Sequence, residues 1–134
     1  MSQENVEIVR AQYDSFSQIA EGGEVHSWVL RYFDPNCEYR PVEELDAIRG
    51  HEGLIGWTER WLEAWSSFSD QVEEIIDGGE VVVAAVTISG HGRTSGVEIR
   101  QRFFHVFEMR EGRIVRLREY LDRASALEAA GLPE

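Results

Sequence analysis

Residues 103–122 read FFHVFEMREGRIVRLREYLD and decide the fold, because they predict a β-hairpin close to the end of the chain. Apolar and polar residues alternate on both sides of residues 110–112, Arg-Glu-Gly. That segment suits a three-residue loop with its glycine in the left-handed conformation. Such a loop pairs Met109 with Arg113 and thereby sets the register of the two strands.

This register assigns each side chain of the hairpin to one face of the sheet, since cross-strand partners share a face. Phe103 then lies opposite Glu119, and His105 is the diagonal neighbour of Glu119 on the same face. A two-residue loop would instead put His105 and Glu119 on opposite faces. The shared face is the core face by composition, because its other members are Phe103, Phe107, Val115, Leu117 and Leu121.

His105 and Glu119 are the polar exceptions on this core face. Burying an imidazole or a carboxylate is costly unless it has a partner. Two interpretations are open at this point. In one, the two residues satisfy each other or a backbone group inside a packed core. In the other, they line a cavity and transfer protons.

Apolar residues at helical spacing predict three helices before the sheet. The first is capped by Ser2 and stopped by the glycines at 22–23, and the second ends at residues 34–35, Asp-Pro. A third helix is predicted over residues 53–66. The second helix should bury Val25, Trp28, Val29 and Tyr32, and the third carries a stripe of Leu54, Trp57, Trp61 and Trp65.

From residue 70 onward the pattern has a period of two, which predicts four strands at 70–76, 80–89, 97–109 and 113–121. Shorter strands are expected at 37–42, where Pro41 indicates a sheet edge, and at 44–50. Asp122 should cap a last helix through Ala130, with Gly131 as its stop. Helices followed by an antiparallel meander predict one α+β domain over residues 1–134.

Composition excludes several classes of protein. The formal net charge is −12, which disfavours nucleic-acid binding, and all 13 basic residues are arginine, which removes Schiff-base chemistry through lysine. No apolar stretch reaches the ~18–20 residues of a membrane span, and we see no signal peptide, so a soluble cytoplasmic protein is expected. The lone Cys37 is expected to be a small buried hydrophobe.

No cofactor or metal site is expected from the motifs. The four histidines show no paired ligand spacing. The glycine-containing segment GHGRTSG precedes a strand, whereas a phosphate-binding loop would precede a helix, so it is interpreted as a hairpin turn.

Four segments together resemble a SnoaL-like domain of the nuclear transport factor 2-like superfamily: ENVEIVRAQYDSF, FDPNCEYRPVE, RGHEGLIGW and HVFEMREGRIVRLREYLDRASALEAAGL. The resemblance covers nearly the whole chain. It implies a cone, in which a strongly curved antiparallel sheet wraps around three helices and encloses a pocket. Members of the superfamily include polyketide cyclases, ketosteroid isomerase, limonene epoxide hydrolase and scytalone dehydratase, whereas others only bind ligands or partners.

The resemblance also implies roles for particular residues. Tyr13 resembles the first-helix tyrosine that donates to the substrate oxyanion in ketosteroid isomerase, and His105 lies where that enzyme keeps a protonated aspartate. Arg40, before Pro41, takes the position of the isomerase's base, which an arginine cannot replace. Glu119 resembles a catalytic aspartate of limonene epoxide hydrolase, although the rest of that site has no clear match. His105 with Glu119 fits the acid-base pair of the cyclases.

The candidate catalytic residues are therefore His105, Glu119 and Tyr13. The tryptophans of the third helix suit an aromatic wall for a ring-shaped ligand and suit core packing equally well. The candidate ligand-binding residues are Trp57, Trp61, Arg40, Phe103, Leu117 and Trp28.

Two classes of function remain open. One is a cofactor-independent enzyme performing cyclisation, isomerisation or dehydration on a small apolar carbonyl or ring compound. The other is a module that binds such a ligand without converting it. A homodimer through the sheet is also predicted, because the other face of the hairpin combines arginines with Phe104, Val106, Ile114 and Tyr120.

Overall fold

The alternating half of the sequence builds one curved sheet, and helices pack on both of its faces. The computed structural model describes residues 2–20, 24–42 and 44–133. Its helices are α1 (Ser2–Ala20), α2 (Val25–Tyr32), α3 (Gly50–Glu63) and α4 (Arg123–Ala130). Its strands are β1 (Phe33–Arg40), β2 (Ile48–Arg49), β3 (Trp65–Asp77), β4 (Val81–Gly92), β5 (Glu98–Arg110) and β6 (Arg113–Tyr120). The predicted α+β class is confirmed.

The first two helices follow the predicted pattern. α1 begins at Ser2, whereas the Ser2 side chain and the predicted glycine stop at residues 22–23 lie outside the described part of the chain. None of the described helices combines the length and the apolar composition needed to cross a bilayer. The predicted stripe of α2 is buried throughout, at Val25, Trp28, Val29 and Tyr32.

The third helix begins at Gly50 and ends at Glu63, so both of its ends precede the predicted ones. Its early end has a physical cause in Arg93, which follows β4. The Arg93 backbone N–H donates to the Ala64 carbonyl at 2.8 Å, and its guanidinium donates to the Glu63 and Trp65 carbonyls at 2.9 and 2.8 Å. A cation on the last carbonyls stabilises a helix end. Trp65 therefore begins β3 instead of extending the helix.

The sheet is mixed, and its order is β2-β1-β6-β5-β4-β3. The prediction of a wholly antiparallel sheet is wrong at one junction, because β1 pairs with β6 in parallel. The strand expected at 37–42 is present but begins earlier, since β1 spans Phe33–Arg40, ends before Pro41 and lies between β2 and β6. Pro35 is accommodated inside β1 because the register is interrupted between Phe33 and Glu38.

The β5–β6 hairpin differs from the predicted register in its loop. Arg110 pairs with Arg113 across a two-residue loop, in which Glu111 and Gly112 have φ of 50° and 77°. Positive φ at both positions is the requirement of a type I′ turn, which matches the twist of the strands. The predicted three-residue loop is therefore wrong.

A bulge after this turn changes the facing of every later residue in β6. Met109 pairs with Ile114 but Glu108 pairs with Arg116, so Val115 is the extra residue. An extra residue shifts the alternation by one position. His105 and Glu119 therefore lie directly opposite each other, rather than diagonally.

Two further residues of the hairpin do not lie where the sequence predicted. Ile114 was assigned to the outer face, but it is fully buried in the core between the sheet and α1–α3. Leu121 was assigned to the core face, but it is 52% exposed beyond the end of β6. The position of Ile114 follows from the two-residue turn, whereas Leu121 is exposed because β6 has already ended at Tyr120; the pattern of alternation alone reveals neither.

The outer face of the sheet is covered by α4. Asp122 caps this helix by accepting from the Ser125 N–H at 2.8 Å, and Gly131 ends it with φ of 72°, as predicted. The cluster between α4 and the sheet contains Val83, Ala85, Phe104, Val106, Ala126 and Leu127. The apolar surface that suggested a dimer is thus largely buried within the chain itself.

Candidate functional site

The inner face of the sheet and helices α1–α3 enclose a cavity of about 290 Å³. Most of its wall is apolar or aromatic. The apolar lining residues are Phe16, Trp28, Leu54, Trp57, Trp61, Trp65, Val86, Ile88, Ile99, Phe103, Phe107 and Leu117. The polar ones are Gln12, Tyr13, Tyr39, Thr58, Asp70, Gln101, His105 and Glu119. A largely apolar cavity with a few converging polar groups has the composition of a small-molecule site.

The tryptophans of α3 and β3 form one aromatic wall. The ring of Trp61 lies 6.4 Å from that of Trp57 and 5.4 Å from that of Trp65, measured between centroids. Tyr39 packs edge-on against Trp57 at 5.0 Å, and Phe16 lies 6.0 Å from Trp61. Helical spacing on α3 brings Trp57 and Trp61 to the same side, and the early end of the helix turns Trp65 to meet them.

A chain of hydrogen bonds connects α1 to strands β5, β6 and β1 across the cavity. The Tyr13 hydroxyl lies 2.6 Å from Nδ1 of His105, and Nε2 of His105 lies 2.9 Å from Oε2 of Glu119. Glu119 also accepts from the Tyr39 hydroxyl at 3.4 Å and from the Val42 backbone N–H at 3.2 Å. The sequence suggested Tyr13, His105 and Glu119 as candidates for one site; the structure joins these three side chains by hydrogen bonds and adds Tyr39.

The carboxylate of Glu119 determines which nitrogen of His105 carries the proton. A carboxylate only accepts hydrogen bonds, so Nε2 must donate to it. In the neutral ring, Nδ1 is then an acceptor, and Tyr13 donates to it. In the charged ring, Nδ1 donates to the Tyr13 oxygen, which frees the hydroxyl proton to point into the cavity. Protonation of His105 therefore converts Tyr13 from a hydrogen-bond acceptor for a ligand into a donor.

Tyr13 remains a neutral phenol in this environment. Burial raises its pKa well above the usual value, and the negative charges of Asp70 and Glu119 raise it further. A tyrosinate is thus strongly disfavoured, and the hydroxyl acts by hydrogen bonding.

Asp70 is a second carboxyl group on the cavity wall, and the sequence analysis did not single it out. Its Oδ1 accepts from the Ser17 hydroxyl of α1, whereas Oδ2 is buried and has no hydrogen-bond partner among the residues that the structure describes. Burial raises the pKa of Asp70, and the hydrogen bond from Ser17 opposes that shift. A polar residue within the β3 strand pattern, two positions from Phe68, was the available signal; it resembles the signal that identified His105.

Of the predicted ligand-binding residues, five line the cavity: Trp28, Trp57, Trp61, Phe103 and Leu117. Arg40 does not. It is exposed at the end of β1 and borders a shallow outer groove with Glu38, Arg49 and Arg116. The reason is alternation, because the neighbouring Tyr39 takes the inward position in β1.

Four polar lining residues were missed besides Asp70, namely Gln12, Tyr39, Thr58 and Gln101. Gln12 is buried, and its side-chain and backbone carbonyls accept from Nε1 of Trp28, each at 3.2 Å. Thr58 is buried beside Trp57 on α3. Tyr39 lies in the strand predicted at 37–42, where Arg40 was the residue assigned to the site. Among the described residues, no three His, Cys, Asp or Glu side chains are grouped so that they could hold a metal ion.

A family model described as "SnoaL-like domain" matches residues 9–117. No curated protein matches the chain in sequence. A solved candidate SnoaL-like polyketide cyclase from Jannaschia sp. CCS1 is similar over 100% of this chain and 96% of its own, with 19% identity and a TM-score of 0.81.

Two similar structures contain small molecules. TerC co-crystallised with polyporic acid has 20% identity and a TM-score of 0.75, covering 96% of this chain and 98% of its own. A protein from Catenulispora acidiphila DSM 44928 with a ketosteroid isomerase-like fold, in complex with trimethylamine, has 19% identity and a TM-score of 0.74. That match covers 95% of this chain and 94% of the other. At these identities the likeness concerns the fold.

Proposed function

The chain belongs to the SnoaL-like domain family, and from this premise we propose that it is a cofactor-independent acid-base enzyme. Its substrate is a small, largely apolar ring compound that carries a carbonyl group. The reaction is an isomerisation, cyclisation or dehydration, in which proton movement is the chemical step. The observation that carries the proposal is the hydrogen-bonded chain of Tyr13, His105 and Glu119 on the cavity wall.

Each member of the chain has a separate task. Tyr13 hydrogen-bonds the carbonyl oxygen of the substrate and stabilises the negative charge that develops there. His105 sets the direction of the Tyr13 hydroxyl, which points at the substrate when Nδ1 carries a proton and donates it to the Tyr13 oxygen. Glu119 orients the imidazole by accepting from Nε2. The apolar wall excludes water, which strengthens each of these interactions.

The aromatic wall supports a flat or ring-shaped substrate. Trp57, Trp61 and Trp65 offer ring faces and edges along one side of the cavity. Two proteins of the same fold hold small organic molecules, polyporic acid and trimethylamine. We extend the capacity to hold such molecules to this chain.

A binding module without turnover is the second candidate. One observation favours it: both ring nitrogens of His105 are engaged by protein groups, Nδ1 by Tyr13 and Nε2 by Glu119. A histidine held in this way contacts a ligand only through Tyr13. Such an arrangement suits recognition of a ligand oxygen as well as it suits catalysis.

The two candidates are separated by a simple reaction with 1-tetralone, a two-ring ketone. Exchange of its α-hydrogens for deuterium, followed by NMR in D₂O, reports enolisation, in which Tyr13 stabilises the enolate oxygen while solvent takes the α-hydrogen and returns deuterium to the same carbon. We expect the protein to accelerate exchange, and Tyr13→Phe to reduce the acceleration by about 100-fold, a typical general-acid contribution. Tyr32→Phe is the matched control, because that hydroxyl bonds Ser15 outside the cavity wall.

The outcomes of this assay are distinct. Binding of 1-tetralone by calorimetry without faster exchange would select the binding module. Equal exchange rates for wild type and Tyr13→Phe would contradict the role of the hydroxyl. Absence of both binding and exchange would contradict the proposal that the cavity accepts carbonyl-bearing rings, and native mass spectrometry would then be the route to its true ligand.

The homodimer and the cytoplasmic location remain predictions. The apolar surface that suggested the dimer is smaller than the sequence indicated, because α4 covers Phe104 and Val106 and the core contains Ile114. What remains on the outer sheet is a surface of arginines with Tyr120 at its margin. Sedimentation showing only monomer at micromolar concentration would contradict the dimer.

A further inference from the structure

The charges around the cavity are unbalanced. Among the described residues, two carboxyl groups line it, on Asp70 and Glu119, and no arginine does. The chain contains no lysine at all. In that described part of the wall, only His105 can become a cation, and its Nε2 is already directed at Glu119. An anionic ligand would therefore enter a cavity that already holds excess negative charge.

The two carboxyl groups are connected to α1 through two different residues. Tyr13 is hydrogen-bonded to His105, which is hydrogen-bonded to Glu119, and Ser17 is hydrogen-bonded to Asp70. Tyr13 and Ser17 are one helical turn apart on the same side of α1, which corresponds to about 6 Å along the helix axis. The cavity thus has two polar positions, separated by roughly the length of a small ring.

Aromatic rings share the cavity wall with Asp70, on Phe16, Trp61 and Trp65. Phe68 lies two residues before Asp70 on β3, so both side chains are on the same face of that strand. The Phe68 ring is 5.1 Å from that of Trp61, 6.3 Å from that of Trp65 and 5.6 Å from that of Phe16. A carboxylate beside aromatic faces is the combination that stabilises an organic ammonium, by ion pairing and by cation–π attraction.

We propose that the ligand carries a protonated amine, which Asp70 binds through its unpartnered Oδ2 while the faces of Trp61 and Trp65 pack on the carbon atoms beside the nitrogen. This inference rests on the proposed function, since it adds a second anchoring point to the same cavity. The Tyr13 position binds the oxygen of the ligand, and the Asp70 position binds its ammonium group. The substrate class becomes an amine-bearing ring compound of about two rings.

The proposal resolves the energetic problem of Asp70. A buried carboxylate oxygen without a donor is a cost to the folded state. An ammonium group supplies the missing donor together with a compensating charge, whereas a neutral ligand supplies at most a donor. Because burial raises the pKa of Asp70, ammonium binding should also displace a proton wherever the empty site is partly protonated.

The test is calorimetric titration of the full chain with three ligands that share one ring system: tryptamine, tryptophol and indole-3-acetate. Their side chains end in a cation, a neutral hydroxyl and an anion. We expect tryptamine to bind at least about 10-fold more tightly than tryptophol, and indole-3-acetate to bind most weakly. Titration in buffers of different ionisation enthalpy, at acidic pH, should show proton release with tryptamine alone.

Two substitutions locate the effect. Asp70→Asn keeps the shape of the side chain. It should weaken the affinity for tryptamine about 10–100-fold while changing the affinity for tryptophol less than about 3-fold. Asp14→Asn is the matched control, since it removes the same charge from an exposed position on α1. It should change tryptamine affinity less than about 3-fold. Binding of tryptophol to Asp70→Asn also shows that this variant is folded.

The failures of the two proposals are distinguishable. Equal affinity for tryptamine and tryptophol, or an equal loss of both in Asp70→Asn, would overturn the amine inference and leave the proposed function standing. Tightest binding of indole-3-acetate would overturn it as well. Failure of all three ligands to bind, together with failure of 1-tetralone, would overturn the proposed function and this inference with it.

Discussion

The two carboxyl groups of the cavity, Glu119 and Asp70, are in opposite situations. Glu119 accepts hydrogen bonds from His105, from the Tyr39 hydroxyl and from the Val42 N–H. Asp70 accepts from the Ser17 hydroxyl through Oδ1, and its Oδ2 has no hydrogen-bond partner among the described residues. Glu119 therefore has three hydrogen-bond donors within the protein, whereas Asp70 has one oxygen that can still accept from a ligand.

This difference shows how one fold can give the same chemical group two roles. A carboxylate with several donors is a fixed element that orients its neighbours. A buried carboxyl with an unused oxygen is a cost to the folded state, and such costs are common where ligands bind. The comparison therefore predicts that Glu119 contributes to stability and that Asp70 contributes mainly to binding.

The largest effect is expected from Glu119→Ala. The change leaves the Nε2–H of His105, the Tyr39 hydroxyl and the Val42 N–H without their acceptor, in a region where the Glu119 side chain is 8% exposed. We expect a loss of about 3 kcal/mol in the free energy of unfolding, measured by urea denaturation.

Glu108→Ala is the matched control on the neighbouring strand. Glu108 pairs with Arg116 and Arg118 on the outer face at 3.2 and 3.5 Å, where its side chain is 33% exposed. Half-exposed ion pairs contribute little, so a loss below about 1 kcal/mol is expected. Equal losses for the two variants would remove the distinction between Glu119 and an ordinary surface carboxylate.

A smaller effect should follow when each carboxyl loses one donor. Ser17→Ala takes from Asp70 the hydroxyl that binds its Oδ1, and about 1–2 kcal/mol of stability at neutral pH should be lost. Tyr39→Phe takes one of three donors from Glu119 and should cost less than about 1 kcal/mol. A larger loss for Tyr39→Phe would mean that the donors of Glu119 do not substitute for one another.

The smallest expected effect concerns the pH dependence of the free energy of unfolding, to which Asp70 and Asp122 should contribute with opposite signs. Burial raises the pKa of Asp70 above its unfolded value of about 3.9, so the folded state holds its proton more strongly. The contribution of this group to stability then falls as pH rises from about 3.9 through the raised value. Hydrogen bonds from Ser125 lower the pKa of Asp122, so its contribution has the opposite sign and is lost as pH falls through the lowered value.

Urea denaturation across this pH range, for wild type and each Asp→Asn variant, measures these two slopes. The difference between wild type and Asp70→Asn should become more unfavourable to wild type with increasing pH. The difference between wild type and Asp122→Asn should become more favourable to wild type. Slopes of the same sign for both variants would contradict the burial of Asp70.

Much of the fold was predictable because the local signals agree with the tertiary structure. The stripe of α2, with Trp28 and Tyr32, is buried as its spacing indicates, and Asp122 and Gly131 end α4 as capping rules require. The register of the hairpin was not predictable from alternation. Two departures, the two-residue turn at Glu111 and the bulge at Val115, nearly cancel each other, so His105 still shares a face with Glu119.

The candidate site was partly predictable for a similar reason. A polar residue in an apolar pattern is conspicuous, and His105 and Glu119 were found in that way. Asp70 has the same signal, but it begins the predicted strand at 70–76, where a polar residue looks like part of a turn. The α3 end that places Trp65 in β3 depends on Arg93, a contact between segments distant in sequence, which no local pattern records.

The most direct test of the central claim, that Glu119 fixes His105 with Nε2–H towards Glu119 and Nδ1 towards Tyr13, is the tautomer of the neutral His105 ring. Long-range ¹H–¹⁵N NMR of the wild type at alkaline pH distinguishes a protonated from an unprotonated ring nitrogen. We expect the proton of His105 on Nε2, with Nδ1 unprotonated and accepting from Tyr13, and we expect Glu119→Gln to shift part of the population to the other tautomer because an amide can donate to Nε2. A wild-type ring with its proton on Nδ1 would contradict the claim.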